Sequence, residues 1–329
     1  MGLCGTQIPV LCSRGRIWPT TVFPAARKWR VMAQRKPAWL REELSGVDRQ
    51  HHAVHETVAD RELNTVCEGA SCPNREECWA QERTASFMIL GDTCTRNCSF
   101  CDVPTGSPAP PDPTEPSRLA GAVADLDLEY VVVTSVDRDD LPDGGAEHFA
   151  DCIRAVKDRN PETTVEVLIP DFQGSTEALG TIVRAEPDVI GHNLETVRRL
   201  QGDLRDPRAA YYQSLSVLEG VKKLDDGVFT KSSLMVGFGE TEAEVEQAIE
   251  DLRGAAVDFL TIGQYLRPSA DHPEVVEYVH PDQFEAYREY GEAQGFKYVA
   301  SAPTVRSSYR AGELWVENAR EAGLEPDTL

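Results

Sequence analysis

"SFMILGDTCTRNCSFC", residues 86 to 101, carries a short apolar run straight into three cysteines at C-x3-C-x2-C spacing. A run of this length, closed by Gly-Asp, reads as a buried strand. Its last residue, Leu90, is separated from the first cysteine only by Gly91, Asp92 and Thr93. Parallel sheets bind their ligands at the strands' carboxyl ends, in doubly wound folds and in barrels alike. The cysteine loop thus stands where chemistry is expected, provided that more strand and helix units follow.

They do follow. "EYVVVTS" (129–135), "TTVEVLI" (163–169), "DVIGHN" (188–193), "FTKSSLMVG" (229–237) and "DFLTIG" (258–263) are further strand candidates. Between and after them lie helical patterns at 117–127, 145–159, 175–185, 207–224, 241–253 and 281–294. Ala146, Phe149, Ala150, Ile153 and Val156 repeat at helical spacing, as do Val245, Ala248, Ile249 and Leu252. Thr241 with Glu244 three residues on predicts a capping box. Six alternating units of this kind imply an α/β fold of parallel strands with right-handed crossovers. Periodicity alone leaves open a doubly wound sheet or a complete or partial barrel. "VPTGSPAPPDPTEP" (103–116) reads as an ordered Pro-rich excursion between the first strand and its helix.

Composition narrows the partners. The 329 residues include 55 acidic against 33 basic side chains, a formal net charge of -22. Such a surface repels phosphate backbones and anionic lipid, which argues against nucleic acid and membrane partners, and it suits hydration in a halophilic cytoplasm. No run of about 18 uncharged apolar residues occurs, so a cytoplasmic location is expected. Residues 1–31 hold several arginines and no acid. They are read as a disordered leader, either a targeting segment or non-native sequence upstream of Met32, and the second reading is preferred.

Nine cysteines are present. Cys4 and Cys12 fall in the leader, and Cys152, alone in "AEHFADCIRAV", reads as a small buried hydrophobe. The other six, Cys67, Cys72, Cys78, Cys94, Cys98 and Cys101, crowd between positions 67 and 101. In a reducing compartment that crowding points to metal or redox chemistry rather than disulfides. Structural zinc wants four protein ligands, and catalytic zinc prefers His or carboxylate. Three thiols in one tight loop suit a [4Fe-4S] cube with one iron left open.

At these residues the chain resembles the radical S-adenosylmethionine superfamily, whose hallmark loop is C-x3-C-x2-C with an aromatic residue before the last cysteine, here Phe100. "CEGASCPNREECW" adds Cys67, Cys72 and Cys78 at C-x4-C-x5-C. Together with "YVVVTSVDRDDLPDGGAEHF", "GHNLETV", "DPRA", "LMVGFGET" and "VRSSYRAG", this resembles the lipoyl synthase family from about Pro37 to Trp315. One departure is Gly69, where the family pattern more often has Glu.

The resemblance implies a partial (β/α)6 TIM-type barrel over 85–302, an N-terminal extension over 32–84, and a C-terminal extension over 303–329. It implies two [4Fe-4S] clusters: one on Cys94, Cys98 and Cys101 that binds S-adenosylmethionine, and an auxiliary one on Cys67, Cys72, Cys78 and Ser308. The implied reaction inserts sulfur at C6 and C8 of an octanoyl group on a lysine of a lipoyl carrier domain, in 2-oxoacid dehydrogenase E2 chains or the glycine cleavage H protein. Two S-adenosylmethionines are consumed, and the auxiliary cluster gives the sulfur. A ferredoxin or flavodoxin would supply electrons, and an iron-sulfur carrier would repair the cluster. Thr134, Ser135 and Asp137 are implied contacts of the cofactor's amino group, Asn193 and Glu195 of its ribose, Arg205 of its carboxylate, and Gly237 and Gly239 of its adenine. The plainer readings of these residues are turns, helix caps and a solvated ion pair.

His51, His52 and His55 include an i, i+4 pair, but acidic neighbours favour a solvated helix face over a metal site. The acidic run "DRDDLPD" is read as a strand-end loop, not a divalent-cation site. Two alternatives compete: another sulfur-inserting radical enzyme, which would lack the paired upstream and downstream motifs, and a non-catalytic metal-binding or electron-transfer protein, which would have no use for the α/β units.

Overall fold

The computed structural model describes residues 36–43, 52–69 and 86–308. Among the described residues eight strands form one sheet in strictly sequential order. β1 (Asn64–Thr65) runs antiparallel to β2 (Ser86–Ile89). From β2 onward every pairing is parallel, through β3 (Tyr130–Ser135), β4 (Thr164–Leu168), β5 (Val189–Gly191), β6 (Phe229–Val236), β7 (Phe259–Gln264) and β8 (Tyr298–Ser301). A doubly wound sheet reverses its strand order at a switch point. Here each crossover steps one strand the same way, which curls the sheet into a partial barrel.

Two short helices, α1 (Ala38–Glu43) and α2 (His52–Asp60), precede the sheet. The crossover helices are α3 (Glu115–Asp125), α4 (Ala146–Arg159), α5 (Thr176–Val183), α6 (Tyr211–Leu224), α7 (Glu242–Gly254) and α8 (Pro281–Ala293). These are the six expected units. β8 is an additional parallel strand that pattern reading missed: "YVAS" holds a single β-branched residue, and its extended form comes from pairing with β7. α6 starts at Tyr211, later than periodicity suggested, because Asp206 turns the chain by accepting the Arg208 N–H at 3.0 Å.

The core follows from the side-chain periods. On α4, Phe149, Ala150, Ile153 and Val156 are all buried against the sheet. α7 buries Val245, Ala248, Ile249 and Leu252, and its capping box forms: Thr241 Oγ1 accepts from Glu244 N, and Glu244 Oε2 accepts from Thr241 N at 2.9 Å. Along β3 and β4, Val131, Val133, Val165 and Val167 pack outward with the helices. Tyr130, Thr134, Glu166 and Leu168 alternate with them and face the barrel interior.

Candidate active site

The cysteine loop leaves β2 through a left-handed corner, Leu90 at φ 67° and Gly91 at φ 96°. The corner is pinned on both sides. Leu90 N donates to Glu115 Oε2 at 3.0 Å, and Leu90 O accepts from Arg138 Nη1 at 3.0 Å. Glu115 is also 2.6 Å from His148 Nε2, and Cys152 completes the group within 4.8 Å. Cys152 is fully buried, as expected of a small apolar residue.

The Pro-rich excursion folds back on the loop. Cys94 N donates to Pro104 O at 2.8 Å, and Gly106 N to Cys94 O at 2.9 Å. On the other side, Ser99 N donates to Leu204 O at 2.8 Å, and Asn97 N to Asp206 Oδ2 at 2.9 Å. Backbone N–H groups also reach two sulfurs: Arg96 N to Cys94 Sγ and Asp206 N to Cys98 Sγ, each at 3.4 Å.

All three thiols are free. Burial, then the charge of Asp137, pushes the Cys94 thiol up to about 11. Burial pushes Cys98 up and raises Cys101 to about 12. These groups keep their protons at neutral pH until a metal displaces them. Three undisulfided sulfurs on one loop, two of them already accepting N–H donors, fit an iron–sulfur cluster.

The three cysteines line a cavity of about 240 Å³ at the carboxyl ends of the strands. Thr134, Ser135, Asp137, Asn193, Glu195 and Arg205 line the same cavity, so the fold brings together most of the residues singled out from sequence. Their polar atoms are unequally engaged. Thr134 Oγ1 donates to Leu168 O at 2.9 Å, and Asn193 Nδ2 to Glu195 Oε1 at 3.1 Å. Ser135 Oγ is buried with no hydrogen-bond partner among the described residues. Arg205 Nη1 donates to Ser214 Oγ at 2.8 Å, while its buried Nε has no such partner. Burial pushes the Asp137 carboxyl up to about 6, against the pull of Arg96. Burial likewise raises Glu195, which sits at φ 70°.

Gly237 and Gly239 are not in the cavity wall. They shape a turn at φ 113° and 93°, where Phe238 N donates to Glu240 Oε2 at 3.0 Å. A Cβ on Gly237 would lie 2.2 Å from Gln264 Nε2 and 2.7 Å from Glu277 O. Cys67 is buried in the helical turn Val66–Gly69 after β1, beside the cavity-lining Val66. Ser307 lines the cavity and Ser308 is half-buried next to it in sequence. Cys72 and Cys78, like His51 and residues 1–31, lie outside the described residues. His55 is largely exposed on α2, as a solvated helix face requires.

Sequence reasoning missed Arg96, Asp139, Asp171 and His192. Arg96 sits between two cysteines and bonds to both Asp139 and Asp171. His192 Nδ1–H donates to Ile169 O at 2.9 Å, since a carbonyl only accepts, and Nε2 accepts from Ser214 Oγ at 2.9 Å. Burial, then the neighbouring Arg205 charge, pushes His192 down to about 4, so it is neutral. The acids of "DRDDLPD" face guanidinium groups: Asp140 is held by Arg138 at 2.9 Å and Asp139 by Arg96 at 2.8 Å.

A partial α/β barrel with free thiols at C-x3-C-x2-C spacing over its carboxyl-end cavity is the arrangement of a radical S-adenosylmethionine enzyme, and the sequence model of the Radical SAM superfamily matches residues 88–252. The solved structure of methylornithine synthase superposes with a TM-score of 0.51 at 12% identity, covering 87% of this chain and 92% of that one. A hydrogenase maturase from Carboxydothermus hydrogenoformans superposes at 0.50 and 11%, covering 85% and 79%. These two share the fold.

Sequence relatives are far nearer. A lipoyl synthase from Anaeromyxobacter sp. is 57% identical over 87% of this chain and 96% of its own length. One from Natronomonas pharaonis is 52% identical over 89% and 95%, and a chloroplastic lipoyl synthase of rice 49% over 95% and 89%. The chain belongs to the lipoyl synthase family. Its cofactors are accordingly [4Fe-4S] clusters and S-adenosylmethionine.

Proposed function

We propose that Cys94, Cys98 and Cys101 hold the cluster that binds S-adenosylmethionine, and that Cys67, Cys72, Cys78 and Ser308 hold the auxiliary cluster. In this division 85–302 is the catalytic barrel, and 32–84 with 303–329 are the extensions that carry the second cluster. The enzyme inserts sulfur at C6 and C8 of an octanoyl chain on a lipoyl carrier domain. Such C–H bonds offer ionic chemistry no handle, so the bound cofactors supply the radical and the sulfur. The observation that carries the reading is one cavity holding three free thiols beside two buried polar atoms, Ser135 Oγ and Arg205 Nε, that lack partners among the described residues.

The chain's own residues bind, orient and exclude water. Asp137 and Ser135 receive the cofactor's ammonium, and Arg205 Nε its carboxylate. Asn193 and Glu195 accept from ribose hydroxyls. The turn of Gly237 and Gly239 faces adenine through Phe238, whose ring lies 6.5 Å from Phe100. Val66, Met88, Val103, Val136, Leu168 and Ile169 give the cavity an apolar wall, suited to an alkyl chain and to keeping water from a radical. Ser308 would be the one oxygen donor among the auxiliary ligands, a harder and poorer partner for iron than the three thiolates. The carriers are lipoyl domains of E2 chains and H protein. A ferredoxin or flavodoxin gives electrons, an iron-sulfur carrier restores the cluster, and the setting is the cytoplasm. Among the described residues no helix is long and apolar enough to cross a membrane.

The test is the Cys67→Ala variant, incubated anaerobically with an octanoylated lipoyl-domain peptide, reductant and S-adenosylmethionine. It should form 5'-deoxyadenosine but no lipoyl product by mass. Lipoyl product from that variant defeats the division of labour.

A further inference from the structure

We propose that Arg96 is a positioning residue for cofactor binding: it ties the cluster loop to the ends of β3 and β4 and thereby fixes Asp137 beside Cys94. The inference rests on the assignment of Cys94, Cys98 and Cys101 above. Arg96 occupies the middle of "CTRNC" and its side chain is 3% exposed. A guanidinium has five N–H donors in a rigid plane, and all five face carboxylate oxygens. Nε and Nη2 take both oxygens of Asp139, each at 2.8 Å. Nη1 and Nη2 take both oxygens of Asp171, at 2.9 and 2.7 Å. The remaining Nη1–H faces Asp137 Oδ1 at 3.4 Å.

The three carboxylates are served unequally. Asp139 gains a second cation, Arg208, at 3.1 Å, and Asp171 gains Gln213 Nε2 at 2.6 Å. Among the described residues the Asp137 carboxylate has only the long contact to Arg96 and the Cys94 thiol at 3.8 Å. Asp206 also holds Arg208, at 2.8 Å, so four carboxylates meet the two guanidiniums, with the Arg205 charge reaching Asp137 only through space, and the least engaged carboxylate is the one in the cavity wall, next to the first cluster thiol. That is the complement of a cationic ligand group bound at the cluster. A loop held merely by an ion pair would need one carboxylate. Two filled forks plus a third contact fix the loop's angle as well as its attachment, and so fix where Asp137 stands relative to the cluster.

Lysine keeps the charge and loses both forks. The experiment compares the reconstituted holoenzyme with Arg96→Lys, Asp137→Asn and the double variant. It reads iron content, the S-adenosylmethionine-induced change in the electron paramagnetic resonance of the reduced cluster, and KM against kcat for 5'-deoxyadenosine formation. Arg96→Lys should keep its iron, raise KM for S-adenosylmethionine about tenfold, and weaken the spectral change. The double variant should be no worse than Asp137→Asn, because Arg96 acts through Asp137. Wild-type KM and spectrum in Arg96→Lys, or fully additive losses in the double variant, overturn the proposal. If Arg96→Lys loses its cluster, Asp139→Asn, which weakens one fork, takes its place in the same cycle, and the same two results support or overturn the proposal. A wild-type enzyme whose spectrum ignores S-adenosylmethionine defeats the cluster assignment instead, so the two failures are distinguishable.

Discussion

Low in the barrel, Lys231 Nζ lies 2.8 Å from both oxygens of Glu166, and the Tyr130 hydroxyl bonds to the same carboxylate. At the carboxyl ends, Arg96 and Arg208 meet Asp137, Asp139, Asp171 and Asp206, and nearby Ser135 Oγ and Arg205 Nε have no hydrogen-bond partner among the described residues. Both clusters hold buried charge, which is costly unless paired. Among the described residues the lower one is closed: one cation meets one anion, and both carboxylate oxygens are used. The upper one leaves a surplus anion, a donor and a hydroxyl facing a cavity. Closed charge holds a fold together, whereas open charge is a binding site waiting for its complement.

The two ends of the barrel respond differently to substitution. The largest effect belongs to the upper site: Cys94→Ala should abolish both 5'-deoxyadenosine and lipoyl product and lower iron from about eight to about four per chain, checked by iron analysis and mass. Next comes the lower pair. Lys231→Met strands the Glu166 charge and should cost about 3–5 kcal/mol in denaturant unfolding, with KM for S-adenosylmethionine unchanged, and adding Glu166→Leu should recover most of the loss.

His192 links stability to pH. Its folded value of about 4 lies below the ordinary 6.5, so the unfolded chain binds the proton first. Stability should be full above pH 6.5 and fall by about 1.4 kcal/mol per unit as pH drops toward 4. Unfolding curves of His192→Gln should lose that slope. The smallest effect is expected at Ser135→Ala. Removing an unpartnered buried hydroxyl should leave the unfolding free energy unchanged within about 0.5 kcal/mol, while KM for S-adenosylmethionine rises a few-fold. A drop in stability with unchanged KM would place that hydroxyl in the closed class.

The strands and helices were legible where one residue type dominates a period: "YVVVTS" is buried along almost its whole length, and α4 buries the face its spacing foretold. β8 was not legible, because "YVAS" is a strand only beside β7. The cysteines were legible because ligand spacing within one loop is a local property. Arg96 was not, because its partners lie 43 and 75 residues away and only the barrel brings β3 and β4 beside the loop. For the glycines of "VGFGET" the family resemblance implied an approach to adenine. Both sit in a turn packed on Gln264 and Glu277, and what reaches the cavity-lining Phe100 from that turn is the Phe238 ring between them.

By itself the sequence determined the two cysteine trios, the alternation of strand and helix, and the family they belong to, since each is written in neighbouring residues. The tertiary structure alone shows that the alternation curls into a partial barrel and that Thr134, Ser135, Asp137, Asn193, Glu195 and Arg205 share one cavity with the thiols. It also decided which buried charges are balanced and which are left open. Those are facts about contacts across many residues of chain, and burial, not spacing, sets what such contacts cost.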